Sequence, residues 1–149
     1  MAFPSSGLFV PTIVGCLNGA IPLDLDALTN KVALYTDSVT GANLISDTAY
    51  GIGVWASNES TGASYTAGGL TLANATWSHT SGGIVVWDST VDPAWYNVTV
   101  TAHGALYYAP YASNVAIVAQ NFGADVSAVS GAFIIQLPNT GIFSLDLIP

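Results

Sequence analysis

Between residues 82 and 147 the chain repeats one pattern: short apolar runs, rich in β-branched and aromatic residues, separated by Gly, Pro, Asn, Asp or Ser. Residues 84–88, 97–108, 115–122, 132–137 and 142–147 read as strands, with hardly a helical period between them. Strands this dense pair mostly with their neighbours in sequence. The expected fold is therefore all-β, an antiparallel β-sandwich of jelly-roll or immunoglobulin-like kind. On the apolar phase of the best alternating runs stand Val32, Leu34, Val98, Val100, Ile117 and Phe133, which are expected in the core.

Upstream, residues 31–36 (KVALYT) form a strong short strand with Val32 and Leu34 on one face. Residues 50–56 (YGIGVWA) and 70–77 read as further strands, the second with Leu70 and Leu72 inward, while 37–47 and 57–69 are polar loops. The weak alternation of 21–28 suits an edge strand or a turn, and 79–83 a turn.

Residues 1–20 break the pattern. Phe3, Leu8, Phe9, Val10 and Ile13 are apolar, yet Pro4, Gly7, Pro11 and Gly15 prevent a regular strand. Pro11 suits the first position of a short helical turn running towards Leu17, which Asn18 and Gly19 would end. The chain thus divides into an extended N-terminal arm, 1–20, and a sandwich domain, 21–149. An apolar arm must bury itself, either on its own domain or on a partner. Phe3, Leu8, Phe9 and Val10 are the candidate partner-binding residues.

Composition sharpens the picture. At 149 residues the chain is one ordinary domain that removes roughly two thirds of its unfolded surface from water. It is 51% hydrophobic and 7% charged, so its polar surface must be built from Ser, Thr, Asn and Gly. Lys31 is the only Lys or Arg beside nine acids, for a net charge of −8. Nucleic acid is excluded as a partner, because nothing neutralises phosphates, and the same deficit argues against an anionic membrane surface. No run approaches the ~20 apolar residues of a spanning helix, and the N-terminus lacks the positive region of a signal peptide. Cys16 is alone, so no intrachain disulfide forms.

Candidate chemistry is thin. Asp24 and Asp26 make a carboxylate pair without a third ligand nearby, which fits solvated side chains better than a metal site. Gly51 and Gly53 begin a dinucleotide fingerprint that lacks its third glycine and its helix. Trp87 and Trp95 flank the Pro93 turn and are read as sealing the core rather than lining a groove. His103, beside Gly104, is read as exposed or hydrogen-bonded rather than as a base. No G-x-S-x-G elbow is present, and neither His79 nor His103 has local motif context, although a triad of distant residues is a matter of geometry. No catalytic, cofactor-binding or metal residue is expected, and the chain is read as not an enzyme. The sequons at Asn58, Asn74 and Asn97 are attributed to an abundance of Ser, Thr and Asn.

Two motifs carry a resemblance. Gly62 to Gly69 spells G-x-x-Y-T-A-G-G, and Phe122 to Asp125 spells F-G-x-D. With the order of strands between Leu23 and Leu147, they resemble a family of small virion proteins of tailed bacteriophages. The chain departs from many members in having almost no Lys or Arg. The resemblance implies a structural role and supplies no catalytic residues. The expected function is a capsid decoration, or cement, protein on the capsid exterior, which binds and bridges major capsid protein subunits, stabilises the head and forms a homotrimer. The alternative is a tail or tail-fibre component whose exposed Trp and Tyr meet host sugars. A small hydrolase is the rival of a different class, told apart by whether His79 or His103 reaches a serine.

Overall fold

A computed structural model describes residues 3–80 and 82–148. Its elements are β1 (Gly7–Leu8), α1 (Val10–Leu17), β2 (Lys31–Tyr35), β3 (Leu70–Thr71), β4 (Ala75–His79), β5 (Ile84–Ser89), β6 (Ala94–Ala109), β7 (Val115–Ile134) and β8 (Phe143–Asp146). One sheet has the order β1-β7-β6-β2-β3 and the other β4-β5-β8, and every pairing is antiparallel. The two pack together as an all-β, sandwich-like fold.

The long hairpin of β6 and β7 is the spine. Its turn is a 3-10 segment at Pro110–Ala112 followed by Ser113 and Asn114 in the left-handed region, at φ 58° and 59°. Towards the turn the sheet is buried on both faces. Val32, Leu34, Ala105, Tyr107 and Ile117 face the smaller sheet, around Trp87. Ala33, Tyr35, Leu106, Tyr108 and Ala116 face the other way, around Trp55. This double burial is why the strands read as unbroken apolar runs, KVALY, GALYYA and VAIVA. All six residues expected in the core are buried: Val32, Leu34, Val98, Val100, Ile117 and Phe133. So are Trp87 and Trp95.

Three strand assignments change. Residues 115–122 and 132–137 are not two strands: β7 runs unbroken through the polar stretch between them, because that stretch pairs with β6 while facing solvent. Register shifts along the hairpin absorb the misfit, with Gly123 and Ser130 at φ 81° and 45°. Residues 50–56 form no strand; Gly53–Ala56 is a 3-10 turn that drives Trp55 into the core, its indole N–H bonded to Asp47 at 3.0 Å. Residues 70–77 split into β3 and β4, which belong to different sheets, with Asn74 turning the chain at φ 50°. Residues 21–28 are turn rather than strand, held by buried Asn30, whose amide donates to the carbonyls of Asp24 and Leu25.

The N-terminal segment is folded onto the sheet rather than extended away from it. β1 pairs with Val118 and Ala119 of β7. The helix begins and ends where Pro11 and Asn18–Gly19 indicated, and Thr12 donates its hydroxyl to the Ala116 carbonyl. Phe3 and Phe9 lie edge-on to Trp55, each with ring centroids 5.8 Å away, and the absent side chain of Gly104 leaves room for the Phe3 ring.

Candidate interaction surface

The Gly62–Gly69 motif locks a loop onto the sheet. A side chain at Gly62 would put its Cβ 1.8 Å from the Thr99 carbonyl, and one at Gly69 the same distance from that of Val32, so both glycines permit backbone to lie against backbone. Between them Tyr65 turns inward. Its hydroxyl accepts from the Leu34 N–H at 2.9 Å and donates to Glu59 at 2.8 Å. The Glu59 carboxylate also accepts from the Tyr50 hydroxyl at 2.8 Å and the Gly68 N–H at 2.7 Å, and Tyr108 donates to the Gly68 carbonyl at 2.8 Å. Burial, then the Glu59 charge, raises the Tyr108 hydroxyl to about 12. Tyr50 and Tyr65 are raised further, burial again leading. Each group around Glu59 has a structural partner, so the motif is explained by folding.

His103 sits between two carboxylates. Its Nδ1 is 2.8 Å from Asp125 and its Nε2 3.6 Å from Asp37, which also accepts the Phe3 N–H. The side chain is hydrogen-bonded, and among the described residues no serine bonds to it or to His79. Asp24 and Asp26 cap nearby backbone rather than converge: Asp24 takes the Asp26 N–H and Asp26 the Trp77 N–H. Among the described residues no group of three or more His, Cys, Asp or Glu could hold a metal ion, and no helix is long and apolar enough to cross a membrane.

The four candidate partner-binding residues separate. Phe3 and Phe9 are 3% and 0% exposed, packed within their own domain in the Trp55 layer, which is one of the two placements open to the arm. Leu8 is half-buried against the inter-sheet core. Only Val10 points outward. It joins Val14 and Leu17, one helical face at spacing i, i+4, i+7, and the Val10 N–H bonds to the carbonyl of Leu44, the chain neighbour of exposed Ile45. Val14 and Leu17 lay unclaimed in the sequence; the helix start at Pro11 was the signal that could have placed them with Val10. No charged side chain occurs in residues 1–23 or 38–46, so this patch is both apolar and neutral.

A second feature is a groove of about 480 Å³ lined by β7 and the residues after it, among them Gln120, Phe122, Val126, Phe133 and Ile135. It mixes apolar rings with amides and the Ser127 hydroxyl, and its lining residues include no His, Cys, Lys or carboxylate. Comparison with protein-family models, with curated proteins and with solved structures finds no match to this chain.

Proposed function

We propose that the chain is a non-catalytic structural protein of a tailed-bacteriophage virion, a decoration protein seated on the outside of the capsid through the outer face of α1. The observation that carries the reading is the neutral apolar patch of Val10, Val14, Leu17 and Ile45 on an otherwise acidic chain. Burying such side chains is worth about 1.5–3 kcal/mol each, and a neutral contact keeps the acids out of the interface. The resemblance in the 62–69 and 122–125 motifs supplies the virion context, and the acidity suits an outer surface away from packaged DNA. The tail-component reading draws on exposed Trp77 and Tyr96, and copy number per particle separates the two.

The test is Leu17→Asp, at a side chain 85% exposed. The isolated variant should melt with the wild type, and its occupancy on stripped particles should fall more than about tenfold. Unchanged occupancy would remove α1 from the interface.

A further inference from the structure

We propose that two copies of this chain associate edge to edge through β7, residues 124–129 of one running antiparallel to the same residues of the other. The other sheet edges are short or at least partly covered, that of β6 ahead of Gly104 by Ala63 and Ser60, which bond to Thr99 and Thr101. The edge of β2 is covered by residues 58–60, where Ser60 N–H bonds to the Leu34 carbonyl and Thr36 N–H to that of Asn58, then by the Tyr65 hydroxyl and β3. The edge strand β4 has five residues and gives the Trp77 N–H to Asp26; β8 has four residues. The edge of β7 is different. It is paired by β1 at Val118 and Ala119, and Asn121 is tied to Ser6, Phe3 and Pro4, but along 124–129 only Val126, Ser127 and Ala128 have strand partners, all on β6, and among the described residues no backbone bond is made on the outer side. An open row of N–H and C=O groups is a template for another strand.

Two of the usual blocks, lysine and proline, are missing. Residues 124–129 are Ala-Asp-Val-Ser-Ala-Val, with neither Lys nor Pro, and Val126 and Val129 are 45% and 79% exposed. The left-handed positions, Gly123 and Ser130, bound this run instead of interrupting it.

Charge argues for a second copy as the occupant. Two chains of net charge −8 repel, and they can meet only where carboxylates do not face each other. Asp125 is the only ionisable side chain in residues 112–145, and His103 already holds it. Antiparallel pairing centred anywhere but on Asp125 itself sets a neutral residue opposite it. The remaining Ala, Val and Ser side chains are as compatible with themselves as with any partner, and the two-fold closes the pair without leaving a free edge.

This does not depend on a virion location, so it is tested on the isolated protein. Sedimentation and light scattering from low micromolar to millimolar concentration should show a monomer–dimer equilibrium. Val129→Lys should weaken dimerisation more than about tenfold, because each edge then carries a gatekeeping lysine. Tyr96→Lys adds the same charge at a side chain 68% exposed on the neighbouring strand and should leave the dimer in place. Amide exchange across 124–129 should slow as concentration rises, which a fold defect in the variant cannot mimic in the wild type. A wild type monomeric throughout would overturn the proposal. So would equal dissociation by the two lysines, or protection of these amides only by a different protein.

Discussion

The central sheet is covered on its two faces by different kinds of structure. One face meets another sheet, so its partners are regular strands and its core is a sandwich interior around Trp87. The other meets the N-terminal segment, the 3-10 turn at Gly53–Ala56 and the loops between β2 and β3, gathered around Trp55. Both tryptophans are fully buried, and each anchors its indole N–H on a loop, Trp87 on the Leu25 carbonyl and Trp55 on the Asp47 carboxylate. The irregular cover excludes water as well as the regular one. Its price is a hydroxyl and carboxylate network, since loops carry backbone groups that strands would have paired with one another.

The largest effect expected is from Phe9→Asp, which asks whether the irregular layer is core or trim. Losing a buried Phe costs about 3–5 kcal/mol, and the unpaired carboxylate adds its own desolvation. Against a typical stability of about 5–15 kcal/mol, the variant should be largely unfolded by circular dichroism, as should Ile117→Asp in the opposite layer. Val10→Asp, one residue along and 45% exposed, should stay within about 0.5 kcal/mol of the wild type, helped by an acid at a helix start. If Phe9→Asp proved far milder than Ile117→Asp, the two faces would not be equivalent.

Next in size is Gly69→Ala, which strikes the loop lock itself. Gly69 has φ +66° as well as the close Val32 carbonyl, so alanine meets a left-handed penalty of about 1–2 kcal/mol and crowding of about 1–3 kcal/mol. Gly82→Ala, with open space around it, should leave the urea midpoint nearly unmoved. Equal midpoints for the two variants would mean that the loop does not hold the sheet edge.

The sandwich face was legible in the sequence and the other face was not, for a physical reason. Val32 and Leu34 stand on one phase of a period-two pattern, and so do Val98 and Val100, which is what a sheet-on-sheet interface writes into a chain. The opposite face is filled by Phe3, Phe9, Val39 and Trp55, whose spacing follows no period because they come from three separate irregular segments. The same holds for the asparagines. Asn58, Asn74 and Asn97 begin sequons, but all three occupy left-handed backbone, at φ 72°, 50° and 52°, a conformation that asparagine tolerates better than most side chains. The candidate surface was half legible: the helix start at Pro11 was readable, whereas which side of it faced outward depended on where the sheet lay.

The smallest effect expected separates the network's hydrogen bonds from its burial. Tyr108→Phe keeps the ring stacked on Tyr50, centroids 4.3 Å apart, and removes only the bond to the Gly68 carbonyl. At neutral pH this should cost about 1 kcal/mol. The pH dependence runs in one direction. The folded protein holds this hydroxyl neutral up to about 12, whereas an unfolded tyrosine ionises near about 10. The contribution is therefore complete below the unfolded value and is lost as pH rises through the folded one. Tyr50 and Tyr65, raised by burial and Glu59, act in the same sense. Wild-type stability followed by urea titration should fall on going from neutral pH to strongly alkaline solution, and that of Tyr108→Phe should fall less steeply, so the two curves converge. Parallel curves would mean that Tyr108 ionises as easily in the folded chain as in the unfolded one, and that the irregular layer is wetter than the sandwich interior it faces across the sheet.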